Sequence, residues 1–253
     1  MVLPLFLAAL GVVVTVALAA AATLSKALTA SAGVAAAVFG SIVVVVAGFP
    51  FLALLVMFVV GSVLATRYGF EEKRRANVHE GTVGERGVSN VLAHIVVPTG
   101  LVLFAWAEPS LLPAAPLALL YTAALAFGAS DTFASEFGVL AGSARSILTL
   151  RHVTAGTNGG VSVIGEVWAF VGALTTALLG LAFFLAFATT HPPAMVLLGI
   201  ATAAGFLACQ VDSILGETLE NRGWLTKGST NLLGMISSVL IAGALYYGVV
   251  GPW

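Results

Sequence analysis

Charge is scarce in this sequence: only 8% of its 253 residues are Asp, Glu, Lys or Arg, where a soluble domain carries about 25%. Twenty-one charged residues are too few to coat a soluble globule of this length, so a soluble helical bundle is set aside. Cysteine is nearly absent. The single Cys209 lies in an apolar run, which excludes an intrachain disulfide and any multi-cysteine metal site. No basic block suggests nucleic acid, and a net charge of −1 selects no partner. Neither a Walker-type Gly-x4-Gly-Lys-Ser/Thr nor a protein-kinase signature occurs. Nothing in the sequence dictates an oligomeric state.

What is present is hydrophobic, 60% of the chain, in runs of the length that crosses a bilayer, about 20 residues for a core of about 30 Å. Eight spans are predicted, at 3–23, 28–47, 50–66, 88–107, 111–130, 166–187, 193–211 and 231–250. Lys26, Gly48-Phe49-Pro50, Glu108-Pro109 and His191-Pro192-Pro193 mark the breaks. The first run lacks a basic n-region and further spans follow it directly, so it is expected to be a retained span and not a signal peptide. Residues 132–150 are too polar for a span, and Ser143 and Arg145 suggest an interfacial or re-entrant helix. The expected fold class is all-α, a polytopic transmembrane helix bundle, with residues 1–253 as one integral membrane domain. In that scheme residues 1–66 supply three N-terminal spans, 67–87 a loop, and 88–253 the functional bundle.

Nine of the 21 charges fall between Arg67 and Arg86, among them half of all the basic residues. Short loops rich in Lys and Arg stay in the cytoplasm. Following the spans from there puts Lys26, residues 131–165 and residues 212–230 on the same side. Only Glu108 and His191 mark the opposite loops. The expectation is a multi-pass protein of the cell (inner or plasma) membrane with both termini outside. Trp168, Tyr246, Tyr247 and Trp253 read as interface anchors. Arg74 and Arg75 read as orientation and headgroup contacts.

Two stretches resemble each other. Asp131-Thr132-Phe133-Ala134-Ser135-Glu136 aligns with Asp212-Ser213-Ile214-Leu215-Gly216-Glu217. Downstream, Thr157-Asn158-Gly159-Gly160-Val161-Ser162 leads to Gly165, and Thr226-Lys227-Gly228-Ser229-Thr230-Asn231 leads to Gly234. The order is that of a parallel internal repeat about an axis along the membrane normal. Carboxylates at the edge of a bilayer cost several kcal/mol unless paired or metal-bound. With neighbouring hydroxyls they suit Mg²⁺, so Asp131, Glu136, Asp212 and Glu217 are the candidate catalytic and metal residues. Asp131 and Glu136 stand about 140° apart around an ideal helix, so one helix reaches one ion with both only if it unwinds. Gly138 and Gly216 would permit that.

The glycine runs supply the other half. Backbone N–H groups and a helix N-terminus attract phosphate. Thr157, Asn158, Gly159, Gly160, Ser162, Lys227, Gly228, Ser229 and Asn231 are therefore the candidate phosphate- or nucleotide-binding residues. Arg86, Asn90, Arg145 and Arg151 join them, with His152 nearby. His94, two turns into a span, reads as a satisfied polar residue. Glu166 is either a site residue or a helix-start carboxylate, and Glu220-Asn221-Arg222 reads as a solvated loop. Glycine loop, carboxylates and basic residues together suit metal-assisted phosphoryl or nucleotidyl transfer.

At these motifs the sequence resembles the integral membrane family that includes plant phytyl-phosphate kinase and animal transmembrane protein 19. The matching runs are Gly-Ala-Ser-Asp-Thr-Phe-Ala-Ser-Glu at 128–136, Gly-Thr-Asn-Gly-Gly-Val-Ser at 156–162, Asp-Ser-Ile-Leu-Gly at 212–216 and Asn231-Leu232-Leu233. Arg86 to Ala93 also matches, but His94-Ile95 stands where the family has Asn-Gly. The resemblance covers most of residues 67–250. It implies transfer of a phosphoryl group from a nucleoside triphosphate, CTP or ATP, to an isoprenyl monophosphate such as phytyl or geranylgeranyl phosphate, with Mg²⁺ as cofactor. The implied partners are that nucleotide, the isoprenoid lipid phosphate and membrane lipids. Two alternatives stand beside it: a CTP-dependent cytidylyltransferase making a CDP-lipid, and a lipid transporter or flippase. Against transport, the charges gather at one face and none lines a path to the other.

Overall fold

The computed structural model describes residues 4–252. Its helices are α1 (Leu5–Leu24), α2 (Ala30–Ala47), α3 (Phe49–Arg67), α4 (Phe70–Arg75), α5 (Val88–Ala107), α6 (Ala114–Gly138), α7 (Val163–Ala186), α8 (Ala194–Leu215) and α9 (Lys227–Val250). All but the short α4 are long and apolar enough to cross a membrane. The eight predicted spans each correspond to one of these helices. Trp253 lies outside the described residues.

Apart from α5, which follows Gly87 without a side-chain cap, the long helices start in two ways. Helices beginning at the end of the bundle poor in charge start at proline: Pro4 before α1, Pro50 in the first turn of α3, Pro113 before α6 and Pro193 before α8. Proline has no N–H to leave unsatisfied there. At the charged end, Thr29, Ser162 and Thr226 cap α2, α7 and α9 with a hydroxyl, and Thr226 and Ser229 form a reciprocal capping pair. The last helix therefore starts four residues before the predicted span. Contacts tie this end together: Arg67 donates to Lys26 O at 2.9 Å, Leu28 bridges Arg86, and Ser146 donates to Glu217 at 2.6 Å. Between α4 and α5, Glu85 accepts the N–H groups of Thr82 and Val83, which hold its carboxyl down at about 2.

Residues 139–161 depart from expectation. A 3-10 turn at Val139–Ala141 is followed by a three-stranded sheet in the order β2-β1-β3, with β1 at Ala144–Ser146, β2 at His152–Val153 and β3 at Gly160–Val161. There is no interfacial or re-entrant helix here. Positive φ at Gly142, Leu150, Gly156 and Gly159 breaks the segment into pieces too short for one.

The centre of the bundle is α6, which packs against α3, α5, α7, α8 and α9. Its neighbours approach through glycine. A methyl group on Gly172 of α7 would stand 2.7 Å from Ala129 O, and one on Gly205 of α8 2.8 Å from Ala126 C. Gly234 of α9 lies against the Phe127 ring. Small residues allow this close approach where lipid, unlike water, offers no hydrophobic drive between helices. The outcome is that α6 runs eight residues past its predicted end, because its polar last turns are covered by protein. Thr132 and Glu136 are both buried. Of the predicted interface anchors, Tyr247 is exposed, Tyr246 is buried, and Trp168 stacks on Phe137 at 4.2 Å.

Candidate phosphate and cation site

Where the last turns of α6 and α8 meet the first turns of α7 and α9, a polar cavity of about 370 Å³ opens at the charged end. Asp131 and Asp212 both face it. So do Thr157, Asn158, Gly159, Gly160, Ser162, Lys227 and Asn231, nine of the residues that sequence reasoning assigned to chemistry. Asp131 Oδ2 accepts one long bond from Asn231 at 3.4 Å. Asp212 Oδ1 is buried and accepts none. A buried carboxylate oxygen without a donor is costly in a native protein, and a cation in the cavity would satisfy it. Among the described residues, no three His, Cys, Asp or Glu side chains gather into a metal cage. Two carboxylates with open positions suit Mg²⁺, which keeps its waters and takes its other ligands from phosphate.

The glycine run forms a turn packed onto α8. Gly160 N–H is used by Thr157 O at 2.9 Å, and Gly159 carries φ +75° with no room for a side chain against Glu217 and Ser213 O. Gly159 is therefore required by packing as well as by backbone conformation. Asn158 Nδ2 donates to Glu220 at 3.1 Å.

The four carboxylates do not converge. Because α6 stays helical through Gly138, Glu136 points away from Asp131. It binds Lys73 Nζ at 2.7 Å and Thr66 Oγ1 at 2.7 Å, with Arg86 at 3.9 Å, in a buried cluster. In the second half a π turn at Gly216–Glu220 turns Glu217 onto the sheet, where Ser146 and the Leu148 N–H hold it. Gly228 and Ser229 lie in the first turn of α9, where Ser229 serves the cap. Arg145 is exposed and donates to Leu150 O at 3.1 Å; Arg151 is exposed, and neither lines the cavity. Arg86 and Asn90 bond to each other at 2.8 Å at the rim of a second, apolar cavity.

Residues 13–249 match the family described as Integral membrane protein DUF92. The chain belongs to that family. A membrane protein of Methanocaldococcus jannaschii is 30% identical over 219 residues, covering 84% of this chain and 83% of that one. A membrane protein of Synechocystis is 33% identical over 199 residues, 76% and 72% of the two chains. Protein PGR of Arabidopsis thaliana is 31% identical over 195 residues, 70% and 67%. No solved structure matches. The family match spans both halves of the cavity, and the motif resemblance drawn from the sequence leads to the same family.

Two carboxylates near the cavity were read otherwise from the sequence, and a third was left open between two roles. Glu220, set aside as a solvated loop, accepts from Thr230 at 2.8 Å as well as from Asn158. Its signal was present in the spacing: it follows Glu217 by three, so a tighter or wider turn exchanges one for the other. Glu166, open between a site residue and a helix-start carboxylate, faces the cavity and is bound by Gln210 at 2.9 Å. Glu80, lost among the loop charges, bonds Asn90 at 3.1 Å and stands 4.0 Å from Lys227.

Proposed function

We propose that this protein transfers the terminal phosphoryl group of a nucleoside triphosphate, CTP or ATP, to an isoprenoid monophosphate at the membrane surface. One observation carries the reading. Two half-buried carboxylates from different helices, one with a buried oxygen lacking any donor, share a cavity with Lys227 and the starts of two capped helices. That combination attracts polyphosphate and a divalent cation together. The family resemblance at the same motifs supplies the lipid.

In this reading Asp131 and Asp212 hold Mg²⁺, which supplies positive charge to the phosphates when bound. Lys227 adds a mobile cation. Asn158 and Asn231 offer neutral hydrogen bonds. An oxygen of the lipid monophosphate attacks the terminal phosphorus, and the bond to the leaving nucleoside diphosphate breaks. The products are the lipid diphosphate and a nucleoside diphosphate. Positioning and charge neutralisation do most of the work in such transfers, and the chain provides both at this end of the bundle.

The test uses the purified protein in lipid nanodiscs with Mg²⁺, CTP or ATP, and geranylgeranyl or phytyl monophosphate. Lipid diphosphate and nucleoside diphosphate are the expected products, lost in Asp131→Asn and Asp212→Asn while folded protein is retained. Pyrophosphate release with a CDP-lipid would replace the kinase by a cytidylyltransferase. Near-normal turnover in both variants would remove the carboxylates from the chemistry.

A further inference from the structure

A second cavity, about 150 Å³ in volume, lies between α1, α2, α3 and α5. Over most of its length its walls are apolar: Leu18, Ala22, Ala36, Leu52, Val56 and Val59. At the charged end of the bundle it closes on Ser62, Arg86, Asn90 and His94. Three of these carry buried polar atoms without a hydrogen-bond partner: Ser62 Oγ, Arg86 Nε and His94 Nε2. The residues are only 1%, 4% and 2% exposed, so bulk water does not reach them. Three such atoms at one end of one cavity exceed what native interiors tolerate unfilled.

The charge at that end is unbalanced as well. Lys73 and Arg86 both reach Glu136, at 2.7 and 3.9 Å, which leaves one positive charge over within the buried cluster. An anion is the missing partner. His94 Nδ1 donates to Asn90 O, so its Nε2 is an acceptor; an apolar cavity ending in the Ser62 hydroxyl, the Arg86 guanidinium and an excess cation has the polarity of a single-chain lipid with an anionic head. A void of about 150 Å³ lined by aliphatic and aromatic groups is the size that holds one small hydrocarbon. It takes the first part of one slender chain, not two acyl chains side by side.

A relay of polar side chains runs from this cavity to the polar one. Arg86 Nη1 donates to Asn90 Oδ1 at 2.8 Å, Asn90 Nδ2 donates to Glu80 at 3.1 Å, and Glu80 stands 4.0 Å from Lys227, which lines the polar cavity. We propose that the cavity between α1, α2, α3 and α5 seats the head-proximal part of the hydrocarbon chain of the isoprenoid monophosphate, with its phosphate drawn toward Arg86 and the polar relay beyond it. The identity of the chain rests on the phosphoryl-transfer reading above; the polarity of the cavity does not. The first three spans thereby become the wall that sorts lipids by chain.

Binding is measured without any nucleotide, using radiolabelled geranylgeranyl monophosphate and the full-length protein in nanodiscs. Ala36→Phe and Val56→Phe place a ring in the cavity from half-buried positions. Each is expected to raise the Kd for the geranylgeranyl compound at least about tenfold and to leave isopentenyl monophosphate, which has the head and little chain, almost unaffected. An unchanged Kd for the long chain would overturn the assignment. Should both variants fail to fold, an analogue of geranylgeranyl monophosphate with a diazirine in the head-proximal part of its chain is crosslinked to the wild-type protein. Label on residues 15–28 or 36–60 is expected. Label confined to other segments, or label displaced by dioleoylphosphatidylglycerol but not by geranylgeranyl monophosphate, would reject it. Chain-dependent binding without phosphoryl transfer keeps this site and removes the kinase reading; transfer with the label elsewhere does the reverse.

Discussion

Lys227 is the residue that breaks the likeness between the two halves of the polar cavity. Its counterpart, Asn158, is neutral and already bonded to Glu220. The Lys227 side chain is two-thirds exposed and stands 4.0 Å from Glu80, a pairing that contributes little at an exposed site. It is therefore free to turn onto a ligand. A cavity that receives two unlike phosphates places the extra cation beside the more highly charged one, the triphosphate. Lys227→Ala is expected to raise the apparent nucleotide KM at least tenfold, about 1.4 kcal/mol of binding, and the lipid KM much less. Steady-state kinetics with each substrate varied in turn measures the split. Equal effects would reject the division of labour, and Lys227→Arg is not expected to rescue if space is tight, since a planar fork replaces a point charge. At this scale much was legible in the sequence. The Asp131 and Asp212 motifs were readable because a carboxylate at the end of an apolar span carries a cost that only a partner or a ligand offsets. The glycine run stood out beside them. Glu136 and Glu217 were not separable from the two aspartates, because a shared motif does not record which face of the helix is covered by protein. Helix geometry held the clue: five residues place Glu136 about 140° from Asp131, and α6 keeps that geometry.

The junction of α3, α4 and α6 depends on a single buried pair. Lys73 Nζ donates to Glu136 at 2.7 Å and to the α3 carbonyls of Ala65 and Thr66 at 2.9 and 3.3 Å. It thus satisfies the C-terminal end of α3 and binds that end to the central helix. Removing one partner strands the other where water does not reach. Lys73→Met and Glu136→Gln are each expected to destabilise the protein by roughly 3 kcal/mol, seen as a clear fall in Tm in detergent. Asp212→Asn, which removes a carboxylate whose Oδ1 has no donor, is expected to hold or raise Tm. If all three melt alike, the division into a structural and a site carboxylate fails. The helices themselves were readable from apolar runs and from proline at their starts. The sheet at 144–161 was not, since its strands are two or three residues long and are held by backbone pairing across the loop and by Glu217 from the turn after α8.

For the whole molecule, charge distribution decides which way the bundle sits. Every Lys and Arg lies in a segment at the end of the bundle where the polar cavity opens: Lys26, five residues between Arg67 and Arg86, Arg145 and Arg151, and Arg222 and Lys227. The opposite loops offer Glu108 and His191 instead. Short loops rich in Lys and Arg are retained in the cytoplasm, so the cavity is expected to open inward, toward the nucleotide pool that the proposed reaction needs. The molecule is suited to a direct test because it has one cysteine, Cys209, buried in the lining of the polar cavity, and both probes are built on Cys209→Ala. Glu71→Cys places an exposed thiol at the cavity end, and Thr190→Cys places one in the α7–α8 loop at the other. In intact cells the reagent is expected to label Thr190→Cys alone, with Glu71→Cys reacting only after the membrane is permeabilised. The reverse pattern would turn the cavity outward, away from cytoplasmic CTP and ATP. It would leave the two carboxylates and Lys227 without a nucleotide to meet, and the phosphoryl-transfer reading would fall with the orientation.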